Sequence, residues 1–139
     1  MSDPIAALVA LLTADADTAH LAGADIFGGE LAGDILDRGP KSAIVVAPSG
    51  GPSMTGASKA EFDTQRIDLI AYGATPAEAN RMLATASRRL WAIDREVAAG
   101  TLIHWANRAG GFGPARDTDT QWPQAFRSFQ VLHSLKEIM

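Results

Sequence analysis

Between Phe62 and Asp94 the apolar positions change period once. From Phe62 to Tyr72, Ile67, Leu69 and Ala71 share one face, while Thr64, Arg66 and Asp68 begin the other before Ile70 and Tyr72 make its far end apolar too. That alternation predicts a strand whose last residues are buried on both sides. Gly73 breaks the run, and Thr75-Pro76-Ala77-Glu78 supplies an N-cap hydroxyl, a proline where no amide hydrogen bond is lost, and a glutamate able to complete a capping box. The helix predicted from there carries Ala79, Met82, Leu83, Ala86, Leu90 and Ile93 as one apolar stripe, with Glu78, Arg81, Thr85, Arg88 and Arg89 turned away. Because stripe and strand face belong to adjacent elements, Met82, Leu83, Leu90 and Ile67 are expected in one core.

Around this unit the signals are shorter. Asp3-Pro4 opens a helix with Ile5, Leu8, Val9 and Leu12 on one face, and Asp15 to Leu21 reads as a further short helical turn ending at Gly23. Ile26-Phe27 is a brief apolar anchor, followed through Gly39-Pro40 by too many breakers for a long regular element. Ala43–Ala47, bounded by Pro40 and Pro48, has the length and composition of a buried strand. Ser49 to Lys59 is composed largely of loop formers and is expected to project. Gly100 releases the chain into a strand from Thr101 to Arg108, where Leu102, His104 and Ala106 alternate with Ile103, Trp105 and Asn107. Gly110, Gly111, Gly113 and Pro114 interrupt it, Ala115 to Gln121 forms a polar connection, and Phe126 to Leu135 resumes the alternation. The expected architecture is one α/β domain over residues 1–139: a two-layer sandwich with a four-stranded, mostly antiparallel sheet, an N-terminal helix, and one central helix between strands 2 and 3. Strand order is left open by the pattern.

Composition narrows the function classes. The formal charge of −4 argues against a protein that holds DNA through its net field, and an arginine-bearing solvated helix face accounts for Arg81, Arg88 and Arg89. The absence of cysteine excludes disulfides and thiolate chemistry. No positive segment precedes the apolar Ile5–Leu12 run, which is too short to span a bilayer, so a soluble protein without a membrane partner is expected. His20, His104 and His133 have no metal-ligand spacing, Asp117 and Asp119 lack the rest of a calcium loop, and Gly110-Gly111-Phe112-Gly113 has neither a dinucleotide fingerprint nor a phosphate-loop lysine, so a bulge or turn is its ordinary reading. No catalytic, cofactor-binding or metal site is expected, and the chain is read as a non-enzyme. An interaction role rests on Ser53, Met54, Thr55 and Lys59 in the projecting segment and on Phe112 and Trp122, read as exposed apolar contacts; Trp91 and Trp105 are assigned to the core.

The order of elements resembles the tail-terminator, or tail-completion, family of long-tailed bacteriophages. The resemblance spans most of the chain: the opening amphipathic helix, Leu12-Thr13-Ala14-Asp15-Ala16 leading to Gly23-Ala24-Asp25-Ile26-Phe27, the Ala43–Ala47 strand, Arg66-Ile67-Asp68-Leu69-Ile70-Ala71-Tyr72-Gly73 running into Thr75-Pro76-Ala77-Glu78-Ala79, and the closing Phe126-Arg127-Ser128-Phe129-Gln130-Val131. Gly28 to Pro40 and Gly110–Gly113 depart from the pattern. The resemblance implies a structural virion protein, assembled in the host cytoplasm, that forms a ring, usually of six copies, at the head-proximal end of the tail tube. Its partners would be other copies of itself, the tail tube protein and the head-tail connector, with DNA passing through without specific binding. Another head-tail adaptor, or a small cytoplasmic ligand-binding or enzymatic α/β domain, are the alternatives. Under the ring reading, the Ser49–Lys59 segment orders against a neighbouring subunit or the tube. Deletion of Gly51 to Ser58 is expected to leave the thermal melting curve nearly unchanged while impairing tail completion; an equally strong loss of folding would place the segment in the core.

Overall fold

The computed structural model describes residues 3–22, 25–29, 42–50, 62–116 and 122–134, with 50 and 111–116 described by their backbone alone. The elements in order are α1 (Pro4–Ala14), α2 (Ala16–Ala22), β1 (Ile26–Gly28), β2 (Ala43–Gly50), β3 (Phe62–Tyr72), α3 (Pro76–Trp91), β4 (Glu96–Ala98), β5 (Thr101–Arg116) and β6 (Pro123–Ser134). The strands form one six-stranded sheet in the order β1-β2-β3-β6-β5-β4.

The expected two-layer sandwich with a four-stranded, mostly antiparallel sheet and one central helix requires correction. The sheet has six strands and is mixed, since β1 runs parallel to β2 while every other pair is antiparallel. Among the described residues three helices stand where one central and one N-terminal helix were expected. Both added strands are three residues long, too short for a period of two to register. β4 is held in a hairpin whose two connecting residues, Ala99 and Gly100, both have positive φ (48° and 76°), the backbone of a turn that follows the twist of its strands. The Ser49–Lys59 segment also begins later than expected, because Ser49 and Gly50 belong to β2; residues 51–61 lie outside the described part.

The core follows from the stripes. Ala79, Met82, Leu83, Ala86, Leu90 and Ile93 pack with Ile67, Leu69 and Ala71 of β3, Phe129 and Val131 of β6, Ile44 and Val46 of β2, and Ala7, Leu8, Leu11 and Leu12 of α1. The expected grouping of Met82, Leu83, Leu90 and Ile67 is thus observed. All three helices contribute to this cluster, so they cover the same side of the sheet. α1 is buried beyond its expected stripe, since Ala7 and Leu11 are also inside. Its N-cap Asp3 accepts from Ala6 N, and the Asp3 amide donates to Thr101 Oγ1 at 2.9 Å, tying the helix start to β5. At the other end Asp15 caps α2 by accepting from Thr18 N at 3.1 Å and Thr18 Oγ1 at 2.6 Å. The chain bends 89° there, which lays α2 against α3 and buries Thr85, a residue expected on the solvent side. Among the described residues no single helix is long and apolar enough to cross a membrane.

The junction of β3 and α3 leaves no slack. A Cβ on Gly73 would lie 2.6 Å from Ala79 N, and the Gly73 amide donates to Pro123 O at 3.2 Å. Thr75 Oγ1 accepts from Glu78 N, and Glu78 reaches back to Ala74 N instead of the cap residue itself. This is the predicted capping arrangement displaced by one residue.

Leu83 is 3 % exposed at the centre of the helix–sheet contact. Leu83→Ala is expected to destabilise the fold by about 2–5 kcal/mol in chemical denaturation, through lost transfer energy and the cavity left behind. A loss well under about 1 kcal/mol would place the stripe at a soft surface.

Candidate functional site

Since the helices occupy one side of the sheet, the opposite side is where strand alternation leaves side chains without a helical cover. The register assigns to it Phe27, Ala43, Val45 and Ala47, then Phe62, Thr64, Arg66, Asp68, Ile70 and Tyr72, and opposite these Ser134, Leu132, Gln130, Ser128, Phe126 and Gln124. The face is banded. At one end Ala43, Val45, Tyr72 and Trp122 form a second buried cluster flanked by Phe27, Ala47 and Ile70. Across the middle runs a polar band in which Ser128 Oγ donates to Asp68 Oδ1 at 2.6 Å and Arg66 Nη2 donates to Ala109 O at 3.1 Å. At the far end Phe62, 42 % exposed, meets His104 edge-on with ring centroids 5.0 Å apart.

β5 is a single strand with two irregularities. Its pairing with β6 advances two residues from Ile103 to Trp105 against one on β6, and four from Arg108 to Phe112 against two. His104 is therefore the extra residue of a bulge, which is why Ile103 and Ala106, three positions apart, are both buried against the helices. At the second irregularity Gly110 has φ +89° and Arg66 binds the carbonyl of Ala109. The glycine-rich stretch is thus a bulge, as its composition suggested. The strand nonetheless continues to Arg116, where an interruption and a polar connection were expected.

The candidate contact residues fall in three places. Ser53, Met54, Thr55 and Lys59 lie outside the described residues. Phe112 is in β5 opposite Arg127, with only its backbone described. Trp122 is 3 % exposed, not an exposed contact: its ring stands edge-on to Tyr72 at 6.1 Å. Trp91 reverses the other way. It is 55 % exposed, with the Arg108 guanidinium 5.2 Å from its ring centroid. The signal for this was in the spacing. Arg81, Ala84, Arg88 and Trp91 follow one another by three, four and three residues and are all exposed, so Trp91 belongs to the solvent face of α3.

Arg89, by contrast, turns to β4 and grips Glu96 with both terminal guanidinium nitrogens, Nη1 and Nη2, at 3.0 and 2.6 Å. The hydrogen bond from Arg89 holds the Glu96 carboxyl below its ordinary value and outweighs the opposing effect of partial burial. The same bond raises Arg89. Depressions beside this pair, at Leu21, Ser42 and Met82, and at Asn80 and Arg127 measure about 160, 190 and 180 Å³. These are smaller than the ~300–1,000 Å³ of usual small-molecule sites. Among the described residues no group of three or more His, Asp or Glu is placed to hold a metal ion.

No protein-family model matches the chain, and no curated protein matches it by sequence. Among solved structures, the chain is similar to one from the virion of a native gene transfer agent particle, with a TM-score of 0.67 and 16 % identity over 93 % of this chain and 92 % of that one. At that identity the likeness is one of fold.

A lowered carboxylate contributes stability above its unfolded pKa and loses it as pH falls through the folded one. Glu96→Gln is therefore expected to cost up to about 1 kcal/mol at neutral pH, the side chains being part-exposed. The gap between variant and parent in urea midpoints should close as pH drops below the ordinary 4.5. A gap that persists in acid would show that packing, not charge, carries the contact.

Proposed function

We propose that this chain is a structural protein of a phage-like particle and, more specifically, the subunit of a ring that closes the head-proximal end of a tail tube and offers the head its docking surface. The observation that carries the reading is the agreement in fold, over nearly the full length of both chains, with a component of a gene transfer agent virion. The order of elements that resembles the tail-terminator family supports the finer role. The surfaces described above suit assembly. A closed ring of identical subunits uses two different complementary patches on each copy. The banded sheet face, with Phe62 at its accessible end, is one surface available to such a patch.

In this reading DNA passes through the ring without being gripped. Arg89 is engaged by Glu96, while Arg81 and Arg88 lie on the exposed face of α3, on a chain of net charge −4.

Electron microscopy of the purified protein mixed with tail tubes tests the assignment. The expected result is a ring capping one end of each tube and an arrest of tube lengthening; rings that bind head connectors but not tubes would make the chain a different adaptor, and a monomer that binds neither would end the ring reading. Double-stranded DNA is expected to bind the assembled ring weakly and without sequence preference at physiological salt. Tight binding lost on changing Arg88 and Arg89 to Ala would make α3 a DNA-contacting face.

A further inference from the structure

We infer that the outer edge of β5, from Trp105 to Arg108, is a docking strand for an extended, carboxylate-bearing segment of another polypeptide. The inference rests on the sheet edge alone and does not require a ring. On its inner side this stretch pairs with Leu132 to Phe129 of β6, in step at all four residues, between the bulge at His104 and the second irregularity after Arg108. On its outer side β4 pairs only with Thr101 to Ile103, and its last contact is the Arg95 amide donating to His104 O at 3.1 Å. Among the described residues no strand continues beside Trp105 to Arg108. Alternate residues of this regular stretch therefore direct N–H and C=O outward, which is the template for strand addition.

The side chains beside the edge specify what is added. Arg95 stands at one end of it and Arg108 at the other. Among the described residues neither has a carboxylate partner, whereas nearby Arg89 is paired with Glu96. Trp91 lies under the Arg108 guanidinium with more than half of its surface open, an apolar platform beside the strand. A charged edge residue often serves only to repel stray strands. Here Arg108 is drawn off the edge, over the helix-side indole, and a cation held by an aromatic face keeps N–H donors for a carboxylate. A second copy fits poorly. Antiparallel pairing of two such edges would bring Arg108 of each copy towards Arg95 of the other, and like charges set opposite each other oppose pairing.

Fluorescence anisotropy with the full chain and short labelled peptides tests this. The peptides alternate threonine with glutamate, glutamine or lysine, and a fourth is the glutamate peptide N-methylated at alternate backbone nitrogens. The glutamate peptide is expected to bind best, and loss of backbone pairing on N-methylation to weaken it roughly tenfold. Arg108→Gln should weaken it by up to about fivefold, and Arg108→Glu should shift preference to the lysine peptide. Hydrogen exchange should slow in the complex at the alternate amides of Trp105 to Arg108 that are directed outward. Both substitutions are at an exposed site, so unchanged melting curves are the folding control. No binding by any peptide, equal binding of the glutamate and lysine peptides, indifference to N-methylation, or self-association through this edge that excludes the peptide would each overturn the inference.

Discussion

The contact between the apolar stripe of α3 and the centre of the sheet is what the remaining elements depend on. Met82, Leu83, Ala86 and Leu90 meet Ile67, Leu69, Phe129 and Val131, all nearly or fully removed from water. Strands β3 and β6 are central neighbours although α3, β4 and β5 intervene in sequence. Their pairing brings together residues up to 72 apart in number, Phe62 with Ser134, and the loop entropy of closing so long a segment has to be offset by burial. Gly73 sets the geometry of that burial, because the strand passes into the helix with backbone against backbone and no room for a side chain.

Once one sheet face is committed to the helices, the other must be stabilised differently. At one end it is closed by aromatic packing, Trp122 against Tyr72, so a residue from outside the strand supplies the cover. In the middle it is held by hydrogen bonds across strands, Ser128 to Asp68 and Arg66 to Ala109, which satisfy the charged groups laterally. The face thus ends in a closed apolar cluster on one side and in a single accessible aromatic, Phe62, on the other.

Much of this was legible in the residues. The α3 stripe, its cap, the inward face of β3 and the presence of the four longer strands follow from periodicity, because each runs long enough for its period to repeat; the continuation of β5 past Gly110 does not, since the glycines and proline there carry no such period. β1 and β4 do not, and their existence depends on pairing with β2 and β5, which no local pattern reports. Exposure was misread where tertiary context decides it: Thr85 is covered by the bend at Asp15, and Trp122 by the neighbouring Tyr72. Trp91 was misread although its spacing from Arg88 and Ala84 put it on the wet side of the helix. The edge of β5 was invisible for a different reason. Whether a strand has a neighbour is a property of the sheet and not of the strand.

The bulge at His104 has a consequence for how this chain tolerates change in length. Downstream of it Trp105 and Ala106 stay in phase with Leu132 and Val131, so the pairing, and not the count of residues from Thr101, decides which side chains turn inward. A residue gained or lost at that point is absorbed by the width of the bulge, whereas the same event between Trp105 and Arg108 would turn Ala106 or its neighbours to the wrong side of the sheet. The strand is divided into a stretch where length can drift and a stretch where it cannot, and the second is the one beside which no described strand lies.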